Sequence, residues 1–225
     1  MTKDYDDTDL QRLYDKDYFK NRETTPMWIR RAQFVKEKFH PHTVLDIGCA
    51  TGKFVYQLND LGIDAYGIDG SDYALSKVDK KFSNKFHKVN MNSDILPFTD
   101  EFFDFIGSFY SVEHIHNIEF FAKEIHRTLK NDGVVWLLTP NVGLKGRNKV
   151  DVNTNKFSDW ERIFSNYGFN VQQFSPHEMM VLKGKLKKFG LYKLPVSLQN
   201  IVKKIAYDFA NTISMKDTSF ILTKK

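Results

Sequence analysis

Residues 44–54 read VLDIGCATGKF, and this stretch decides the fold of the chain. An apolar run ends at Gly48, and apolar residues at helical spacing begin just after Gly52. Glycines in a strand-to-helix turn let a ligand approach the backbone, and the first N–H groups of the helix are open donors. A second apolar run ends at Asp69, where a carboxylate can accept hydrogen bonds from both hydroxyls of a ribose. The pattern therefore predicts a site for a nucleotide-like cofactor.

Beyond this turn, short apolar runs alternate with segments of helical spacing, which predicts βαβ units and a parallel sheet. The run at 133–139 is apolar at nearly every position, as is typical of a strand covered on both faces. We predict an α/β protein with a seven-stranded, mostly parallel sheet and helices on both faces. The expected strands are 43–47, 64–69, 86–91, 103–108, 133–139, 169–174 and 218–224.

The 225 residues suit one domain. We expect a helical N-terminal cap at 1–41, a cofactor-binding core at 42–175, and a helical, basic insertion at 176–214 before the final strand at 218–224. The insertion carries an apolar stripe at helical spacing and is expected to cap the acceptor pocket. Its members are Leu194, Leu198, Ile201, Ile205 and Phe209.

Composition excludes several classes of protein. There is a single cysteine, so no intramolecular disulfide can form, which is typical of a reducing compartment. The polar, acidic start is not a secretory signal, and no apolar run approaches the roughly 18 residues of a membrane span. A cytoplasmic location is the expectation.

The glycine turn matches neither of two common nucleotide-binding motifs. GCATG departs from GxGxxG, and Asp46 beside the turn would repel a pyrophosphate. The phosphate-binding GxxxxGK[ST] motif is absent, since Lys53 is followed by Phe54. A carboxylate at position 46 is better suited to a cationic ligand.

VLDIGCATG followed by Asp69 resembles the first two motifs of the class I S-adenosylmethionine-dependent methyltransferases. The resemblance covers about residues 43–175, and it implies a Rossmann-like sheet whose last strand is antiparallel, with S-adenosylmethionine as cofactor and S-adenosylhomocysteine as product. It continues in order through LPFTDEFFDFI (96–106), SVEHI (111–115), LKNDGVVWLLTPN (129–141) and FSDWERIFSNYGF (157–169).

The resemblance also implies roles for individual residues. Asp46 would lie near the cofactor's ammonium, and Asp69 would hold the ribose hydroxyls. The remaining predicted contacts are the turn residues Gly48, Cys49, Ala50 and Gly52 under the methionine part, Gly70, Ser71, Asn92, Ser93, Asp94 and Ile95 around the adenine, and Ser108 and Phe109 near the methyl group. Asn92 lies at the position where the family often has an aspartate that binds the adenine amino group. Asp94 is the alternative residue for this contact.

Two side chains are candidates for catalysis. His114 could take a proton from an acceptor hydroxyl, or it could only fix the loop after the fourth strand. Tyr110 could orient the acceptor or line the pocket. Some related quinone-pathway enzymes carry an E-x-x-E-H segment thought to bind a divalent cation, but Tyr110 stands at the first of these positions here, so no metal is expected.

The net charge of +5 is unevenly placed, since residues 183–207 hold seven lysines and no acid. This stretch could be a solvated helix face, a surface for anionic membranes, or a site for a phosphate-bearing substrate. Nucleic acid is not expected as a partner, because the (N/D)PPY-like segment of base methyltransferases is replaced by SFYSVEH.

Together these features predict S-adenosylmethionine-dependent methylation, with an oxygen acceptor on a small molecule or on a glycan or lipid-linked precursor. The alternative is a binding protein that keeps the fold without turnover. The oligomeric state is not specified by the sequence.

Overall fold

The fold is known from a computed structural model, which describes residues 27–140, 151–153, 155–174 and 217–225. The strands are β1 (Thr43–Ile47), β2 (Asp64–Asp69), β3 (Phe86–Lys88), β4 (Phe103–Phe109), β5 (Leu129–Pro140), β6 (Phe169–Gln173) and β7 (Asp217–Lys224). The α-helices are α1 (Met27–Phe39), α2 (Lys53–Asp60), α3 (Asp72–Ser76), α4 (Ile118–Thr128) and α5 (Phe157–Asn166). Short 3-10 helices cover Lys80–Lys85 and Val112–His114.

The seven strands form one sheet in the order β3-β2-β1-β4-β5-β7-β6. Neighbours from β3 to β5 pair in parallel, whereas β7 runs antiparallel to both β5 and β6. The predicted Rossmann-like sheet with its antiparallel last strand is therefore confirmed.

The sheet is buried on both faces because its central strands are apolar at successive positions. Leu45 of β1 packs into one core with helices α4 and α5, and its neighbour Val44 packs into a second core with α1 and α2. Adjacent side chains of a strand point to opposite faces, so an uninterrupted apolar run needs helices on both sides.

The order in which strands are added to the sheet reverses between β1 and β4. From β1 the chain proceeds outward through β2 to β3, and it then returns to place β4 on the other side of β1. In open α/β sheets, ligands bind in the crevice at the carboxyl ends of the strands at such a switch point. The glycine turn lies at this point, directly after β1.

Side-chain caps fix two helices near this crevice. Ser71 Oγ accepts a hydrogen bond from the Ala74 N–H at 3.1 Å and starts α3, and Asn117 Oδ1 accepts one from the Phe120 N–H at 3.1 Å and starts α4. The helix start at Ser71 is as predicted, but α3 ends at Ser76 and a 3-10 helix follows at 80–85.

Two strands differ in length from the prediction. β3 ends at Lys88, because the chain turns at Asn90, whose carbonyl accepts hydrogen bonds from the N–H groups of Ser93 and Asp94. β5 begins at Leu129, four residues earlier than expected, across a register irregularity between Phe103 and Phe105.

Several predicted segments lie outside the described residues. They are the first part of the N-terminal cap, residues 1–26, and the whole insertion at 176–214 with its lysines and apolar stripe. The second part of the cap is α1, which packs against α2 through the core that contains Ala32, Val35 and Leu58. Among the helices that are described, none has the length and apolar character needed to cross a membrane.

Candidate cofactor-binding and catalytic site

The glycine turn is hydrogen-bonded to the end of β2. The N–H groups of Gly48 and Cys49 both donate to the Ile68 carbonyl, at 2.9 and 3.0 Å. Gly48 has a φ of 73°, and a Cβ added there would lie 1.9 Å from Ser111 Oγ. Ser111 Oγ in turn donates to the Ile47 carbonyl at 3.1 Å, so the loop after β4 closes directly on this turn. No larger residue fits at position 48.

Ala50, in the middle of the turn, also has a left-handed backbone, with a φ of 50°. A residue with a Cβ costs about 1 kcal/mol in this conformation. The turn keeps the geometry of a glycine-rich loop because Ala50 N–H donates to Asp69 Oδ2 at 2.8 Å.

Asp69 joins the two turns that follow β1 and β2. Its Oδ2 accepts from the Ala50 N–H, and its Oδ1 accepts from the Ser71 N–H at 2.8 Å. Burial raises the pKa of Asp69, while hydrogen bonds from the backbone of Ser71, Ala50 and Gly70 oppose that rise. A carboxylate oxygen can accept more than one hydrogen bond, so this group can still receive donors from a ligand.

Asp46 is a buried carboxylate at the end of β1, with 3% of its surface exposed. Burial raises the pKa of Asp46 to about 7, and the nearby positive charge of Arg31 opposes the rise. The buried Cys49 thiol lies in the same turn, and burial raises its pKa, so it remains protonated and is no nucleophile.

Sequence analysis missed Arg31, which lies on α1 and is only 3% exposed. Its guanidinium carbon lies 4.0 Å from the ring centroid of Phe109 and 4.7 Å from that of Trp28. Desolvation lowers the pKa of Arg31 to about 10, and the charge of Asp46 acts against that effect. The sequence did carry a signal that could have identified Arg31. This arginine lies on the same buried face of α1 as the apolar residues Ala32 and Val35.

On the expected adenine side, the side-chain oxygen of Asn92 is hydrogen-bonded within the protein. Its Oδ1 accepts hydrogen bonds from the N–H groups of His116 and Asn117, at 2.7 and 3.0 Å. Both lone pairs are thereby used within the protein, and an adenine contact of Asn92 stays a prediction. Asn92 ties the loop after β3 to the start of α4.

Asp94 and Ile95 lie on the rim of the same loop. Asp94 is exposed and caps the turn by accepting from the Asn90 N–H at 2.8 Å. Ile95 is 71% exposed. The side chain of Ser93 donates to Asp94 at 2.9 Å.

At the end of β4, Ser108 and Phe109 are buried beside the turn. Tyr110 follows with a left-handed φ of 61°, and its hydroxyl donates to Asp217 at 2.8 Å. Burial, followed by the charge of Asp217, raises the pKa of Tyr110, so the phenol remains protonated. Tyr110 therefore fixes the end of β4 to the start of β7, a contact that spans 107 residues of sequence.

His114 lies between two carboxylates. Its Nδ1 is 3.3 Å from Asp151 Oδ1, and its Nε2 is 4.0 Å from Glu113 Oε1. The backbone N–H groups of Val152 and Asn153 donate to the Glu113 carbonyl, which holds the segment of Asp151 against the loop. Sequence analysis missed Asp151, because nothing in its local sequence relates it to His114.

Glu113, His114 and Asp151 also form the one group in the described part of the chain whose residue types and spacing could hold a metal ion. However, the two carboxylates approach different nitrogens of the imidazole, and these nitrogens point away from each other. A single ion can bind only one nitrogen of a ring. The geometry is thus better suited to a hydrogen-bonded chain than to chelation.

The structure therefore brings most of the predicted residues to one edge of the sheet, around the turn after β1. The profile of the family described as "methyltransferase domain" matches residues 18–191, which is most of the chain. The chain belongs to the methyltransferase-domain family. The resemblance to class I S-adenosylmethionine-dependent methyltransferases is thereby confirmed.

Known proteins similar to this methyltransferase-domain chain match it over part of its length. An uncharacterized protein of Methanocaldococcus jannaschii is 34% identical over 59% of this chain and 49% of its own. The ubiquinone biosynthesis O-methyltransferase of Pelagibacter ubique is 32% identical over 45% of this chain and 43% of its own. The matches thus span about half the length of these curated relatives.

A solved structure shows the same fold. The O-methyltransferase of a trans-AT polyketide synthase multienzyme of Brevibacillus brevis, in complex with S-adenosyl-L-homocysteine, has a TM-score of 0.59 and 20% identity. The alignment covers 93% of this chain and 76% of that one. At this identity the likeness supports the fold alone.

Proposed function

We propose that this protein transfers a methyl group from S-adenosylmethionine to an oxygen atom of a small molecule or of a glycan or lipid-linked precursor. One observation carries the cofactor assignment. Asp69 is hydrogen-bonded to the glycine turn through Ala50, at the switch point of a methyltransferase-family sheet. This arrangement supports the proposal, because the carboxylate proposed to accept the ribose hydroxyls lies next to the backbone against which the methionine part would lie.

The described residues fit the proposed cofactor. Asp69 receives the ribose hydroxyls, and the buried Asp46 faces the ammonium of the amino-acid part. We assign the adenine to the loop after β3, with Asp94 in place of Asn92 as acceptor for the amino group. The Ile95 side chain, which is 71% exposed, would then be covered by the adenine ring.

When bound, S-adenosylmethionine supplies an electrophilic methyl group on a sulfonium. The work left to the protein is alignment of the acceptor and removal of its proton. His114 is suited to the second task, because an N–H at Nδ1 facing Asp151 leaves Nε2 as the proton acceptor. The carboxylate of Glu113, 4.0 Å from Nε2, stabilises the imidazolium that forms.

The oxygen acceptor is supported by this base and by one relative. The similar protein of Pelagibacter ubique is named an O-methyltransferase. A base is most useful when the acceptor is a hydroxyl, which must lose its proton to become a good nucleophile. The test is formation of S-adenosylhomocysteine, measured by mass spectrometry, with a panel of phenols, sugars and lipid-linked glycans. The proposal fails if calorimetry detects no S-adenosylhomocysteine binding.

We expect His114→Gln to lower kcat by about a hundredfold or more, because general-base catalysis contributes roughly 10²–10⁴ to a rate. The dissociation constant for S-adenosylhomocysteine should change little. His116→Gln is the matched control, since it removes an imidazole two residues away. Steady-state kinetics and calorimetry provide the two readouts. Wild-type kcat in His114→Gln would show that the imidazole only supports the loop.

We expect a chelator to leave turnover unchanged. The reason is that Tyr110, at the position where a carboxylate ligand would be needed, donates to Asp217, and that the carboxylates near His114 face different ring nitrogens. The measurement is turnover after dialysis against EDTA, with and without added magnesium. Loss of turnover that magnesium restores would contradict this prediction.

A further inference from the structure

Helix α4 contacts both ends of the loop that carries the proposed adenine contacts. At its start, two backbone N–H groups donate to the side-chain oxygen of Asn92, at 2.7 and 3.0 Å. At its other end, Glu124 and Arg127 form hydrogen bonds with the segment 96–100. The exposed residues 93–95 therefore lie between two points that are fixed to the same helix.

The guanidinium of Arg127 uses its whole set of donors. A guanidinium has five N–H groups in a rigid plane, and those of Arg127 make five hydrogen bonds. Two reach the carboxylate of Glu124, at 2.9 and 2.8 Å. The others reach the Leu96 carbonyl at 3.1 Å, the Phe98 carbonyl at 2.8 Å and Asp100 Oδ1 at 2.9 Å. One side chain thus fixes alternate residues of a segment that has no helix or strand of its own.

Glu124 completes the contacts with Leu96. Its Oε2 accepts a hydrogen bond from the Leu96 N–H at 2.8 Å, so the Glu124–Arg127 pair binds both backbone polar groups of that residue. Glu124 is 7% exposed and Leu96 is 1% exposed. Burial alone would raise the pKa of Glu124, but hydrogen bonds from Arg127 and from the Leu96 N–H lower it below its ordinary value. Charge-assisted hydrogen bonds at a site shielded in this way are stronger than those of a surface pair.

The segment that Arg127 fixes begins directly after the proposed adenine contacts. Ile95 immediately precedes Leu96, and Asp94 accepts from the Asn90 N–H at 2.8 Å on the other side. A residue that recognises a ligand must be held to within about 0.5 Å by the residues that support it. Because Asp94 and Ile95 are exposed, burial does not order them. Their order has to come from the hydrogen-bonded residues on either side.

We propose that Arg127, held by Glu124, is a positioning residue that fixes the loop after β3 for recognition of the adenine base. This inference rests on the proposed function, because it takes Asp94 and Ile95 as the adenine contacts. It adds a side chain that acts on the cofactor through the loop and that lies at the end of α4, in a segment to which sequence analysis assigned no role in the site.

A consequence is that selectivity for the purine base depends on Arg127. S-inosylhomocysteine differs from S-adenosylhomocysteine in having a carbonyl oxygen in place of the adenine amino group. A carboxylate such as Asp94 accepts a hydrogen bond from the amino group, but it has no donor to meet in that carbonyl. Hydrogen bonds to a charged group contribute about ten- to hundredfold in affinity. The contribution requires the carboxylate to be in place, so it should shrink when the loop is released.

The test measures the dissociation constants of S-adenosylhomocysteine and S-inosylhomocysteine by calorimetry on wild type, Arg127→Gln and Arg162→Gln. Wild type should bind the adenosyl ligand about ten- to hundredfold more tightly. Arg127→Gln should lose about a factor of ten of this preference, with the larger loss of affinity on the adenosyl ligand. Arg162 is the matched control, because it also pairs with an acid three residues away on its helix, Asp159 at 3.3 Å, and its variant should keep the preference.

The ratio of the two affinities separates a positioning role from a merely structural one. A structural role of Arg127 lowers the free energy of unfolding, or weakens both ligands equally, and leaves the ratio unchanged. An unchanged ratio in folded Arg127→Gln would therefore overturn the inference, as would equal binding of both ligands by wild type. If Arg127→Gln does not fold, Arg127→Lys takes its place, because it keeps the charge but lacks the planar fork, and an unchanged ratio there is equally decisive. Failure of the proposed function looks different, because wild type would then bind neither ligand.

Discussion

Gly48→Ala is expected to destabilise the protein by about 2–4 kcal/mol and to abolish measurable binding of S-adenosylhomocysteine. Two effects combine at this position. A Cβ is unfavourable at a φ of 73°, by about 1–2 kcal/mol. In addition, the new methyl group would lie 1.9 Å from Ser111 Oγ and 2.7 Å from Ser111 Cβ, so the loop after β4 must move away from the turn.

The chain contains a control that separates these effects. Gly62 has a φ of 81°, but a Cβ added there meets nothing within 4 Å. Gly62→Ala should therefore show only the backbone cost. The double variant Gly48→Ala/Ser111→Gly removes the clashing atoms and should recover the difference between the two single alanine variants. Free energies of unfolding from denaturant titration would measure all of these changes. Equal destabilisation by Gly48→Ala and Gly62→Ala would contradict the predicted clash.

The positions of the strands and the edge of the sheet at which the candidate site lies could be predicted because both depend on local patterns. Apolar runs such as 133–139 need cover on both faces, and that requirement already selects a parallel sheet with helices on either side. Gly48 and Asp69 each end an apolar run, which places them at the same edge of the sheet. The motif resemblance then implied the antiparallel last strand.

The sequence could not predict the contacts that depend on distant parts of the chain. Arg31 meets Phe109 across 78 positions, and Tyr110 meets Asp217 across 107. The position of Asn92 in the motif likewise does not reveal that the backbone N–H groups of 116–117 donate to its side-chain oxygen. A pattern specifies where a side chain lies, but the partners of its polar atoms come from tertiary packing.

Asp69→Ala is expected to weaken binding of S-adenosylhomocysteine by about ten- to hundredfold, because two ribose hydroxyls lose a charged acceptor. The variant also removes the acceptor of the Ala50 and Ser71 N–H groups, so the measurement must separate affinity from stability. Asp64→Ala is the matched control, since Asp64 lies at the opposite end of β2 and pairs with Lys85. Calorimetry should show wild-type affinity for that control.

The pH dependence of stability distinguishes the two roles of Asp69. Burial raises the folded-state pKa of this carboxyl above its ordinary value of 3.8. A group with a raised folded pKa contributes stability that is fully present below its unfolded pKa and is lost as the pH rises through the folded pKa. The ligand-free Asp69→Ala protein should therefore be most destabilised relative to wild type in acid, and less so as the pH rises through the folded-state pKa of Asp69. The loss of affinity, in contrast, should be greater above that pKa, where wild-type Asp69 is ionised, than below it. An unchanged dissociation constant at neutral pH would remove Asp69 from the cofactor site, whatever its effect on stability.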